Sequence, residues 1–315
     1  MTGGSPRLAW TLTREALRVA ASLLAVSIVA FLIVTAMPVD LVQVAIYAWN
    51  LAPDANTMAA LRHQWGLDRP LIEQYGLWLV RFLGGDWGRS FRTGEPVLQE
   101  FAVRLPVTLG LGLGGLAAAM ALAIPLGFLA ARRPRGVADT ASRALAIFVQ
   151  AVPMFWLGLV LIWVLGVKLQ VVRAFDAQGW AVALPVALIA LHSVGALSRV
   201  YRRDLLVTEA APFFLSALAK GLSRDAALRR HGHGHALYAM IGAVRSEAGW
   251  MIGSAATVEV LFAIPGISQF LIQSIAARDY FVLQAYVMTI AAWMAIMNGA
   301  VNLALEWLDP RIAGR

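Results

Sequence analysis

Three groups of residues in this 315-residue chain have the types and spacing to do chemistry. The first is His231-Gly232-His233-Gly234-His235, three imidazoles at alternate positions. Neutral imidazole ligates Zn²⁺ or Ni²⁺, but on a helix only positions i and i+4 share a face, and no Cys or acidic residue stands beside the run. It is read as a structural or interface element of its loop, with metal ligation by His231, His233 and His235 as the alternative. The second group is Gln150, His192, Glu247 and Glu259, polar side chains inside apolar stretches. Such residues mark transport pathways, so Gln150, His192 and Glu259 are candidate path or gate residues. For His192 the competing role is an interhelical hydrogen bond; for Glu247 it is pairing with Arg245 or with another subunit. The third group is Phe213-Phe214-Leu215-Ser216-Ala217-Leu218-Ala219-Lys220-Gly221. As a short helix it would offer Phe213, Phe214, Leu215 and Leu218 as apolar knobs to a partner's groove. Gly221 would close it in the left-handed conformation, and Lys220 would complement the dipole at that end. Ordinary packing between helix turns is the plain alternative.

Other chemistry is missing from the sequence. There is no Gly-x-x-x-x-Gly-Lys-Ser/Thr nucleotide loop, no His-Glu-x-x-His and no defensible Ser/His/Asp arrangement. The chain is therefore not read as an enzyme, and no catalytic residue or cofactor is assigned to it. If it drives uphill transport, hydrolysis must be borrowed from another subunit.

The elements that position these residues are membrane helices. Hydrophobic residues make up 60% of the chain and charged residues 14%, against about 45–50% and about 25% in soluble domains. The chain reads as an all-α integral membrane protein. Its net charge of +8 fits basic loops on the cytoplasmic side rather than nucleic acid. The lack of cysteine excludes disulfides. Six stretches are long enough to span a bilayer: Val19–Met37, Val107–Ala131, Arg143–Val167, Trp180–Leu197, Trp250–Phe270 and Val282–Leu305. The fifth is interrupted by Glu259 and Pro265-Gly266. The first is long and ends in Thr35-Ala36-Met37, a poor cleavage site, so it reads as an uncleaved span. Lys and Arg are dense in the short stretches Arg132–Arg143 and Arg199–Arg245, which places both termini inside. The resulting organisation is a cytoplasmic segment 1–18, a first span 19–37, an external helical region 38–106, a five-helix core 107–308 with a cytoplasmic loop at 198–245, and a tail 309–315. In the external region Met58–Gly66 has helical spacing with Gly66 as its stop, and Leu71–Leu83 places Leu71, Tyr75, Trp78, Leu79 and Phe82 on one side. These helices would lie at the membrane surface or form a docking platform. Pro125, Pro153, Pro185 and Pro265 are candidate bends; Gly110, Gly112, Gly114 and Gly115 would allow close helix approach.

The segment Ser216–Ser223 resembles the cytoplasmic "EAA" loop of bacterial ABC-importer permeases, specifically the first permease of the dipeptide, oligopeptide and nickel group. Gly66-Leu-Asp-Arg-Pro-Leu71 with Gln74-Tyr75, Gly85-Asp-Trp-Gly-Arg-Ser90, Glu259–Gly266, Arg278-Asp279-Tyr280 and Leu308-Asp-Pro-Arg311 resemble further segments of that group, in the same order. Two departures lie in the His run and at Ala239, where the group has proline. The added glycines should each weaken the local helix by about 1 kcal/mol relative to Ala. The resemblance implies six transmembrane helices in the type I importer architecture and a place in the bacterial inner membrane. It implies partners: a second, homologous permease forming a heterodimer, two ATPase subunits that bind ATP and Mg²⁺ and receive the Phe213–Gly221 element, and an extracytoplasmic solute-binding protein. It implies a small cargo, a short peptide or a nickel or metal chelate. The short Lys168–Gly179 loop and the Arg92–Val97 turn lean toward the nickel members. The alternative is a self-sufficient secondary carrier or channel, which would show an inverted repeat with paired broken helices; no convincing repeat is present.

Overall fold

The computed structural model describes residues 5–36, 40–170 and 180–308. Met37, most of the Lys168–Gly179 loop and the terminal Asp309-Pro310-Arg311 lie outside the described residues. In chain order the helices are α1 (Ser5–Thr35), α2 (Leu41–Ala48), α3 (Ala55–Trp65), α4 (Leu71–Leu83), α5 (Val97–Arg132), α6 (Val137–Ala151), α7 (Met154–Leu161), α8 (Trp180–Glu209), α9 (Pro212–Ala219), α10 (Arg224–Ala227), α11 (His233–Leu261), α12 (Ile267–Ala276) and α13 (Tyr280–Leu308). Wider π-helical turns continue α7 at Ile162–Lys168 and join α10 to α11 at Leu228–Gly232. Among the described residues there is no strand, only one antiparallel bridge between Arg89 and Pro96.

Among the described residues, four helices are long and apolar enough to cross a bilayer: Thr13–Thr35 of α1, α5, Val182–Glu209 of α8, and α13. A fifth candidate is a broken pair. The expected span Arg143–Val167 is α6 followed by α7 and its π-helical end, bent by 100°. Val152 is extended (φ −102°, ψ 123°), because a residue before proline is pushed out of the helical region. Of the other prolines, Pro125 and Pro185 are accommodated within α5 and α8, and Pro265 lies in the break between α11 and α12.

The expected span Trp250–Phe270 is not one helix. α11 starts at His233 and stops at Leu261, and α12 begins only at Ile267. Ala263 takes a left-handed φ of 52°, and the Ile264 N–H bonds to the Glu259 carbonyl at 2.8 Å, a Schellman closure. Glu247, Arg245 and Glu259 fall within α11. Its 29 residues are long enough to span, but α11 is not among the helices apolar enough to do so.

The described chain divides into two compact units, Met1–Val107 with Pro265–Ile296, and Thr108–Ile264 with Met297–Arg315. In the first unit, Asp40 and Asp54 cap α2 and α3 by accepting the Val42 and Thr57 N–H groups. Gly66, at φ 73°, closes α3 as its spacing predicts. α4 turns Tyr75, Trp78 and Phe82 into a ladder of rings that begins on Phe31 of α1 and ends with Phe82 stacked on Trp87 at 4.7 Å. The Ser27 and Tyr75 hydroxyls bond at 2.8 Å. Leu71, expected on the same side, is exposed instead. The unit's core joins Val97 and Phe101 of α5 to Ile267 and Phe270 of α12 and Val282 and Ala285 of α13.

The Gly85–Val97 turn is pinned at its centre. The Ser90 hydroxyl donates to Asp279 Oδ2 at 2.5 Å, and both residues are buried. The Arg92 and Thr93 N–H groups reach Ser90 Oγ at 3.2 and 3.1 Å, while Asp279 Oδ1 accepts the Val282 N–H at 3.3 Å. The Trp49 indole donates to the Ser90 carbonyl at 3.3 Å. At Gly88 any side chain would collide with the ring of Phe281, 2.6 Å from where a Cβ would stand.

In the second unit α8 is the centre, packed on α11 and α6. Close approach depends on small residues: a Cβ at Gly195 would lie 2.8 Å from the Ala146 Cα, and one at Gly115 2.4 Å from Ile189. Gly112 likewise abuts Met251, whereas Gly110 and Gly114 are not in tight contact. Buried Ser142 and Ser198 share a hydroxyl bond of 3.2 Å across the α6–α8 contact.

Candidate coupling site and gate residues

α9 is the Phe213–Gly221 element. Pro212 occupies its first turn, where its missing N–H costs nothing. Gly221 ends it at φ 87°; its N–H bonds to the Leu218 carbonyl at 2.9 Å and the Leu222 N–H to the Ala217 carbonyl at 3.3 Å. This is the left-handed cap the sequence predicts. The helix has two sides. Phe214 and Ala217 are buried, whereas Phe213, Leu215, Ser216, Leu218, Ala219 and Lys220 are exposed or nearly so. Phe214 therefore anchors α9, and the outward apolar knobs are Phe213, Leu215 and Leu218, the last of them 37% exposed.

An ionic clamp lies just past α9. Arg224 grips Glu209 with two bonds, Nε to Oε1 at 2.6 Å and a terminal nitrogen to Oε2 at 2.7 Å. The same guanidinium donates to the Arg132 and Ala131 carbonyls at 2.7 and 3.1 Å. Those carbonyls belong to the last turn of α5, which has no intrahelical donors for them. Asp225 pairs with Arg132. One residue thus ties the α9 loop to the ends of α5 and α8 with charge-assisted bonds. A second knot surrounds Asp139, fully buried at the start of α6. It accepts the Arg135 N–H at 2.8 Å and Arg143 at 2.8 Å, and Arg202 Nε stands 2.8 Å from its Oδ1. Glu209, Arg224 and Asp139 carried no signal in the sequence, because nothing in their spacing announces the pairing.

The His run is split by the helix. Tyr201, buried on α8, meets His233 Nδ1 at 2.5 Å. His231 and His235 turn to Phe213, with ring centroids at 6.5 and 6.0 Å. Among the described residues no group of three or more His, Cys, Asp or Glu side chains is arranged to hold a metal. Gly232 has a packing reason: a Cβ there would stand 2.9 Å from Leu205. Gly234 meets nothing within 4 Å.

The gate candidates occupy three different settings. Glu259 is fully buried and accepts the Thr108 hydroxyl at 2.6 Å. His192 stacks on Trp250 at 4.2 Å. Gln150 is exposed at the end of α6, beside the 100° bend.

Two family models cover this architecture. Residues 123–314 match the binding-protein-dependent transport system inner membrane component, and residues 9–112 match the N-terminal part of such membrane components. The chain belongs to this family. Several similar proteins align along most of the chain. A Brucella abortus (strain 2308) protein, named as permease of a peptide transport system, is 31% identical over 299 residues, covering 92% of this chain and 94% of its own. The oligopeptide transport system permease of Bacillus subtilis (strain 168) is 31% identical over 307 residues, covering 92% and 95%. The dipeptide transport system permease of Lactococcus lactis (strain MG1363) is 28% identical over 268 residues, covering 84% and 87%. The chain is thus a multi-pass inner-membrane permease subunit of an ABC importer, a family of permeases and not of ATPases. Membership decides for the importer subunit over the self-sufficient carrier or channel.

Proposed function

We propose that this chain moves a short peptide inward across the cytoplasmic membrane as one of two homologous permeases. An external binding protein delivers the peptide, and two ATPases power the step. In this reading both termini are cytoplasmic and there are six spans, α11 supplying the one that apolarity alone does not mark. The 38–106 region then faces outward and the 198–245 loop inward. The observation that carries the reading is the two-sided α9. Its exposed Phe213, Leu215 and Leu218 suit a groove on an ATPase, while Phe214 and the Arg224 clamp fasten it to the ends of α5 and α8. Movement of α9 in such a groove would pull on two spans through rigid contacts. ATP and Mg²⁺ would be bound by those partners, ATP binding drawing the paired coupling helices together and favouring an outward-open path, with hydrolysis resetting it.

A peptide cargo is favoured over nickel or a metal chelate by the names of the relatives. The Arg92–Val97 turn, the cue toward nickel, has a structural account in Gly94 at φ 73° and the Ser90–Asp279 bond. The deciding experiment purifies a tagged copy expressed with its genomic neighbours. A second permease and ATPase subunits should co-purify; a chain that elutes alone would defeat the reading. Within that assembly, Gly221→Pro should abolish peptide uptake while ATP hydrolysis continues, because proline cannot adopt φ 87° or supply the N–H that caps α9. Normal uptake by this variant would show that α9 does not couple.

A further inference from the structure

Glu247 stands at the middle of α11. Its carboxylate accepts the Ser193 hydroxyl at 2.5 Å. The basic residue two positions before it, Arg245, is committed to Asn302 at 2.5 Å. Among the described residues, no cation forms an ion pair with Glu247. A carboxyl kept mid-helix in a membrane protein without a counter-charge is costly to ionise, and such residues mark the paths of water, ions and cargo.

Its surroundings point to a cationic group. Trp250 lies three residues on, so the two side chains are neighbours on the helix surface. His192 covers one face of the indole at 4.2 Å, and Trp250 remains 47% exposed. A carboxylate beside an indole face is the combination that recognises an ammonium group, by charge and by the ring's quadrupole. The helix side that Trp250 borders is open and small. A Cβ built at Gly242 or at Gly253 would meet no atom within 4 Å, and Ser246 between them is exposed. Helical periodicity puts 242, 246, 249, 250 and 253 on one side of α11. This stripe of glycine and serine, with Trp250 at its edge and Glu247 about 60° further round the helix, suits an aqueous passage better than lipid.

We propose that Glu247 and Trp250 form a subsite for the α-ammonium group of a peptide in transit, with His192 holding the indole in place. This rests on the peptide-permease reading given above. The test uses the whole importer, with both permeases, ATPases and binding protein, in proteoliposomes, and trialanine as the probe. E247Q keeps the shape and the hydrogen bond from Ser193 but loses the charge. Its maximal uptake at saturating loaded binding protein should fall about tenfold, with the assembly eluting intact. E247D restores the charge and should recover most of the rate. Equal uptake by E247Q and wild type would overturn the subsite. So would equal losses in E247D and E247Q, or failure of E247Q to assemble, since either would mark a structural role. A wild-type assembly that imports no trialanine would overturn the peptide reading itself, and the subsite with it. A wild-type assembly that imports while E247Q does so equally overturns the subsite alone.

Discussion

Two loops of this molecule are fastened by opposite chemistry. The Gly85–Val97 turn is held from inside: a buried hydroxyl-to-carboxylate bond at its centre, indole and phenyl rings around it, and a glycine where Phe281 leaves no room. The α9 loop is held from behind by buried Phe214 and the partly exposed Arg224–Glu209 clamp, while Phe213, Leu215 and Leu218 point outward. A loop whose work is to keep a shape can bury its aromatic residues. A loop that must be gripped leaves several of them free, so one buried ring, Phe214, and a charged clamp share its attachment. The difference argues that α9 is completed by another protein, whereas the turn is complete within the chain.

The sharpest way to break the comparison is within α9 itself. Phe214→Ala removes a fully buried ring and should destabilise the chain by about 3–5 kcal/mol, seen as a lower melting temperature in detergent. Phe213→Ala, one residue away and 46% exposed, should leave the melting temperature unchanged and weaken retention of the ATPase subunits on a tagged column. If both variants melt alike and both retain ATPase, the two-sided view of α9 is wrong.

A smaller effect is expected at the clamp. Lysine keeps the charge of Arg224 but cannot bond Glu209 with a planar fork and reach two α5 carbonyls at once. Arg224→Lys should cost about 1–2 kcal/mol for the lost charge-assisted bonds, little enough to leave the assembly intact. Peptide uptake per ATP hydrolysed should fall, because α9 would no longer be tied firmly to two spans. An unchanged ratio would mean that movement passes through other contacts.

Much of this was legible from sequence where the chemistry is local. Gly66 and Gly221 sit at helix ends, and both take the left-handed conformation that only glycine adopts freely. The ring ladder on α4 follows from helical spacing, as does the existence of α3. Contacts between distant residues were not legible. Ser90 and Asp279 are 189 positions apart, and nothing in either segment's local sequence announces the other. The end of α11 was missed for a different reason. Its left-handed residue is Ala263, and that of α12 is Arg278, at φ 54°, so the glycine that would announce each stop is absent. The expected span therefore ran on through Pro265. Pro153 announces the break between α6 and α7, but not its angle of 100°, because hydropathy reports length and not direction.

The smallest effect separates the two loops by pH. Burial pushes the Asp279 carboxyl above its ordinary value of 3.8, and the Ser90 hydroxyl with the Val282, Arg92 and Phe91 N–H groups only partly offsets this. The folded state therefore holds this proton more tightly than the unfolded chain. Stability from Asp279 is fully present below the unfolded value and is lost as pH rises through the higher folded value. Acidification from neutral pH should then tighten the Gly85–Val97 turn, read as slower amide exchange at Arg92 and Thr93 after correction for intrinsic rates. Asp279→Asn, which cannot titrate, should flatten that dependence. The clamp supplies the internal control: the hydrogen bonds from Arg224 to Glu209 raise an already high guanidinium value, so Arg224 stays charged between about pH 5 and pH 8. If exchange at the turn is equally pH-dependent in Asp279→Asn, the carboxyl is not what pins it, and the contrast between a buried latch and a charged clamp fails at its buried end.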